Sequence, residues 1–156
     1  MKGLYLLLLA ALIGIEISIG AFIAPTLFYP QSIIGDGVLT HFQSGLLMTN
    51  IFVKFNYVLI AVAILALVYE LFMLRSDVKF ALKFSSFMLA LINFALAASF
   101  VFYFTPYVLN AQALGEAGTT TPEFFQMHKA SELVMKVMMV AQLLLFFIKF
   151  PRAKEA

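Results

Sequence analysis

The chain has 156 residues, 63% of them hydrophobic and 12% charged, with 18 Phe, no Cys and a formal net charge of +2. An ordinary soluble domain is about 45–50% apolar and about a quarter charged, so a water-exposed globule is excluded and lipid is the expected solvent. The small net charge argues against a nucleic-acid partner, and the lack of Cys removes disulfides, thiolate metal sites and cysteine nucleophiles.

The first apolar run covers residues 4–28 and carries Glu16 at its midpoint. Its length suits a bilayer crossing, which takes about 17–25 apolar residues as a helix. Lys2 and the apolar residues after it resemble the start of a secretory signal. The run resumes past Glu16, however, with no small-x-small cleavage site, so it is expected to stay as a membrane span.

Residues 30–37 hold Pro30, Gly35 and Gly37 and predict a turn. From Val38, apolar residues at Leu39, Phe42, Leu46 and Leu47 alternate with Thr40, His41, Gln43 and Ser44 at helical spacing. That predicts a short interfacial helix leading into the second span, residues 51–74. A third span is expected at 84–108. A Gly- and Thr-rich link follows, then a helix start with Thr121 as N-cap and Pro122 in the first turn. The fourth span is 124–150. Apolar residues run on without the alternation a β-barrel needs. The expectation is one all-α domain over residues 1–156, an integral membrane four-helix bundle, with no internal repeat.

Basic residues orient such a bundle. Seven of the ten, Lys2, Arg75, Lys79, Lys83, Lys149, Arg152 and Lys154, fall at the two ends of the chain and in the middle link. Both termini are therefore expected in the cytoplasm, with the protein in a bacterial-type inner membrane. Lys54 and Lys129 near the outer interface read as side chains reaching headgroups.

An ionisable group inside a membrane normally meets a partner or a wet cavity. Counting along the helices puts Glu16 and Lys136 at similar depth, so they are expected to pair, with Asn93 able to add a hydrogen bond. The bland reading of the pair is structural; the sharper one is a proton or ion site. On span four, His128, Glu132 and Lys136 at i, i+4 and i+8 share one side of the helix. His128 and Glu132, with His41, form a candidate metal site, and Met48 and Met127 suit copper(I). His41 and His128, the only histidines, are also the only candidate axial ligands for a haem. Ser131 lacks a base and orienting group and there is no phosphate-binding glycine loop, so the reading leans away from an enzyme.

Gly20-Ala21-Phe22 with Ala24-Pro25-Thr26-Leu27-Phe28, and the run Phe124-Phe125-Gln126-Met127-His128-Lys129-Ala130-Ser131, resemble the transmembrane protein 205-like family (domain of unknown function 4149). The second run follows that family's Phe-Phe-x-x-His-x-x-Ser pattern. Thr105-Pro106 is similar to the family's Thr-Pro, with Tyr107 where an Arg is usual, and Ile51–Phe55 lacks the family's proline. The resemblance implies a four-helix membrane protein and singles out His128 and Ser131; it names no reaction.

These readings favour transport of, or resistance to, an ion or small solute through a polar intramembrane site made of Glu16, Asn93, His128, Ser131, Glu132 and Lys136. A haem- or copper-binding redox protein and a structural or assembly subunit are the alternatives. The lipid bilayer is the expected surrounding, with a homo-oligomer as the way to complete a pathway.

Overall fold

The computed structural model describes residues 2–150 and is helical throughout, with no strand among the described residues. Four helices are long and apolar enough to cross a membrane: α1 (Lys2–Phe28), α2 (His41–Met73), α3 (Phe80–Ala113) and α4 (Pro122–Lys149). They form a closed ring in which α2 packs on α3, α3 on α4, and α1 lies against both α4 and α2.

The expected turn at residues 30–37 contains a single helical turn, Gln31–Ile34, closed by Gly35 at φ +87°, a conformation costly for a residue with a Cβ. The helical spacing read from Val38 begins in practice at His41 and continues into span two without a break. Thr40 fixes the start by a capping box: its hydroxyl accepts from Gln43 N–H while the Gln43 side chain accepts from Thr40 N–H. The resulting 33 residues are about 50 Å long at ~1.5 Å per residue, well beyond a hydrocarbon core of about 30 Å. Thr121 caps α4 as expected, accepting from Phe124 N–H, with Pro122 behind it. Before that cap, Gly118 touches the preceding helix so closely that a Cβ would collide with Ala111 O.

Two helices widen near the same end of the bundle. A π-turn at Ile19–Ile23 precedes Pro25 in α1, and another at Phe100–Phe104 precedes Pro106 in α3. The physical cause is shared. Proline has no N–H and its ring crowds the carbonyl four residues back. An extra residue in the turn moves that carbonyl aside, and a threonine next to each proline bonds its hydroxyl back into the widened turn. Thr26 donates to Phe22 O at 2.7 Å, and Thr105 to Phe100 O at 3.0 Å.

Large apolar side chains cover the outside, among them Leu4, Phe22, Phe72, Phe102 and Phe147, as a lipid-solvated surface requires. Inside, Ala63, Ala66, Ala90, Ala97 and Ala141 are buried. Small residues let helices approach closely where lipid supplies no hydrophobic drive to associate. The topology brings Lys2, Arg75, Lys79, Lys83 and Lys149 to one end, here called the basic end. Arg152 and Lys154 lie outside the described residues.

Candidate functional site

Polar side chains enter the bundle interior in three layers. Nearest the basic end, Glu70 of α2 is completely buried. Tyr5 of α1 donates its hydroxyl to Glu70 Oε1 at 3.0 Å. Lys149 of α4 brings its ammonium to 2.8 Å from Oε2, an ion pair whose angle falls outside hydrogen-bond geometry. The Tyr69 ring stacks on Tyr5 with centroids 4.2 Å apart. Each carboxylate oxygen thus meets a donor or a cation, which is what burial of a charge demands.

The middle layer is built from α1, α3 and α4. Glu16 is 5% exposed, and Gln142 of α4 donates Nε2–H to its Oε1 at 2.9 Å. Asn93 of α3 spends its Nδ2–H on Leu89 O one turn back, at 3.1 Å. Three oxygens remain: Glu16 Oε2, Gln142 Oε1 and Asn93 Oδ1 are buried with no hydrogen-bond partner. Asn93 and Gln142 line a cavity of about 10 Å³ whose other walls are apolar side chains such as Leu12, Leu59, Ala97 and Leu145. A void of that size takes about one water.

The third layer, toward the other end, is a set of small polar links. Asn56 Nδ2 donates to Thr105 Oγ1 at 2.8 Å, tying α2 to the widened turn of α3, and Gln112 donates to Thr49 at 2.9 Å. Asn56 Oδ1 is also buried without a partner.

The expected Glu16–Lys136 pair does not form. The Lys136 side chain is 70% exposed and its ammonium lies 3.6 Å from Glu132 on its own helix. Gln142, six residues further along α4, is level with Glu16. Six residues are about 9 Å of helix, so counting from the midpoint of the apolar run misjudged the register. Glu132 Oε1 also lies 3.3 Å from His128 Nε2, making His128, Glu132 and Lys136 one exposed chain along α4. The His128 ring stacks on Phe124, whereas His41 packs on Phe28 of α1.

His41, His128 and Glu132 therefore do not gather into a three-ligand set, and no cluster of three metal-ligating His, Asp or Glu side chains occurs among the described residues. A metal or haem would find one exposed histidine at a time, and the proposed ligand set does not fit it. Ser131 is buried, but its hydroxyl donates to His128 O at 2.7 Å, a local helix bond. Of the residues singled out in the sequence, the structure places Glu16 and Asn93 at the centre of the bundle. His128, Glu132 and Lys136 sit together on the outside of α4.

Sequence reasoning passed over Gln142, Glu70, Tyr5, Lys149, Asn56 and Thr105 as site residues. For Glu70 a signal existed: it is the sole acid within residues 51–74, and an intramembrane acid always needs a partner. Gln142 carried none, because a single amide is unremarkable until its neighbour is known.

The family model described as Domain of unknown function (DUF4149) matches residues 7–117. No curated protein and no solved structure matches the chain. The matched region takes in Glu16, Glu70 and Asn93 and ends before α4, which supplies Gln142 and Lys149. The chain belongs to this DUF4149 family.

Proposed function

We propose that this member of the family is a multi-pass membrane protein that carries an ion or small solute through the polar site of Glu16, Asn93 and Gln142. The observation behind the reading is the set of three buried, partnerless oxygens at mid-bundle, two of them on residues that line a water-sized cavity. A purely structural polar contact tends to be fully satisfied, since each unmatched buried oxygen costs about 1–3 kcal/mol. Open acceptors are what a transient positive guest would use.

His128, Ser131, Glu132 and Lys136 act in this reading as a charged strip near the outer face, where an arriving ion first meets the protein. The basic end faces the cytoplasm by the positive-inside rule, in a bacterial-type inner membrane. The Phe-Phe-x-x-His-x-x-Ser run at 124–131 supports placing the chain among transmembrane protein 205-like proteins. Four helices around so small a void leave no open path, so a second copy of the chain, or an alternate packing, completes the route.

The test is flux in proteoliposomes, with a trapped pH-sensitive dye and with radiolabelled sodium as probes. One of the two should cross at a rate that Glu16→Gln reduces at least tenfold. Equal flux from the wild type and Glu16→Gln, or none above protein-free vesicles, overturns the transport reading. An assembly role is favoured instead by the Tyr5–Glu70–Lys149 layer, which is closed on itself and joins three helices.

A further inference from the structure

We infer that the mid-bundle cavity holds one water molecule bound by Gln142 and Asn93, and that the ion loaded there is a proton, carried as the neutral carboxylic acid of Glu16. This rests on reading the layer as an ion site and names the ion.

The ground for this is burial without counter-charge. All three open atoms are oxygens, and the one group bonded to the Glu16 carboxyl is a neutral amide, Gln142 Nε2, while Asn93 Nδ2 bonds to Leu89 O. One water has room in a void of about 10 Å³ and brings two donors. If Glu16 is ionised, a charge is buried with one amide hydrogen bond and no counter-ion, which is costly. If Glu16 is neutral, no charge is buried and its own O–H adds a donor to a layer that has three open oxygen acceptors. Loading forms one O–H bond on Glu16 at the expense of one in a hydronium ion and leaves one water, so atoms and charge balance.

A bare metal cation fits less well. Such ions take about six or more oxygen ligands when the protein cages them. Here the cavity wall offers two amide side chains, Asn93 and Gln142, among Leu, Val and Ala. No other charge intrudes. On α1, Tyr5 points to Glu70. On α2, Tyr69 and Glu70 belong to the layer at the basic end, His41 packs on Phe28, and Lys54 and Tyr57 are exposed. On α3, Lys83 bonds to Ser76 O at the end of the bundle, and Tyr103 meets Phe104 edge to face. On α4, His128, Glu132 and Lys136 pair with one another, Lys149 pairs with Glu70, and Glu123 and Lys129 are exposed. Asn56 Oδ1, the remaining open oxygen, lies away from the cavity and has no titratable partner.

The experiment is infrared spectroscopy of the whole protein in lipid vesicles at neutral pH, reading the carbonyl stretch of a protonated carboxylic acid. Among the described residues the other carboxylates are Glu70, which faces an ammonium, and Asp36, Asp77, Glu116, Glu123 and Glu132, all exposed. A single buried-acid band is expected in the wild type, shifted in Glu16→Asp and gone in Glu16→Gln. If Glu16→Gln does not fold, the wild-type band and its shift in Glu16→Asp decide. Absence of the band overturns the inference, as does a band that disappears when sodium chloride replaces choline chloride, because a metal cation then displaces the proton. A band that is present while vesicles pass no protons upholds the proton site and refutes transport alone.

Discussion

Glu70 and Glu16 are both carboxylates buried inside the same bundle, and the fold treats them in opposite ways. Glu70 has a phenol on one oxygen and an ammonium on the other, drawn from two different helices. Glu16 has one amide on one oxygen and nothing on the second, next to further unmatched oxygens and a void. A closed set holds helices together, and its members cannot change without loss. An open set has spare bonding capacity, and that capacity is what a bound proton or ion uses. The two layers are separated along α1 by the eleven residues from Tyr5 to Glu16, about 17 Å at ~1.5 Å per residue. On the proposed reading, helix packing and ion handling fall at different depths.

The largest effect expected is at the closed layer. Lys149→Met leaves Glu70 buried without its cation, which costs about 3–5 kcal/mol. Thermal unfolding in detergent should show a large fall in midpoint, much of it recovered when Glu70→Gln is added. No recovery in the double variant would mean that Lys149 acts through something other than Glu70.

The open layer should answer in the reverse sense. Glu16→Gln keeps the size of the side chain and a carbonyl for Gln142, so stability should change by less than about 1.5 kcal/mol, while flux is lost. A fall as large as that for Lys149→Met would erase the distinction between the layers. Asn93→Leu removes one of the open oxygens and fills part of the void. It should leave stability within about 1 kcal/mol of wild type and still reduce flux severalfold.

Two smaller changes sharpen the contrast by touching neither carboxylate. Asn56→Leu breaks the link to Thr105, whose hydroxyl keeps its bond to Phe100 O. Interhelical hydrogen bonds in membranes average about 0.6 kcal/mol, and unfolding should shift by about that amount. Thr121→Ala removes the α4 cap for roughly 1 kcal/mol, with flux unchanged.

The resemblance read from Phe124–Ser131 lies outside the residues the family model matches, so α4 was placed by hydropathy and capping alone. Those were enough for its limits: Thr121 and Pro122 mark the start because a cap and an N-terminal proline are local chemistry. The same local chemistry, the capping box of Thr40, shows why α2 begins at His41. The partner of Glu16 was not legible, because Lys136 and Gln142 are both compatible with its depth to within two turns of helix. Opposite charge is the stronger cue on paper, yet Lys136 spends its charge on Glu132 in its own helix. The widened turns at Pro25 and Pro106 show a partly legible case. The prolines are visible in the sequence, but whether a helix kinks, breaks or widens there depends on what the freed carbonyls can find.

By itself the sequence determined that there are four long apolar helices, where the fourth begins, and that the basic residues gather at one end. These follow from hydropathy, capping and charge, which are properties of contiguous residues and add along the chain. Only the tertiary structure decided that Glu70 meets Lys149, that Glu16 meets Gln142, and that three oxygens are left open in that layer. Those outcomes depend on the rotation and sliding of each helix against its neighbours. The close fit of small residues such as Ala63, Ala66, Ala90 and Ala97 sets both, and packing of that kind is non-local, so no window of sequence contains it.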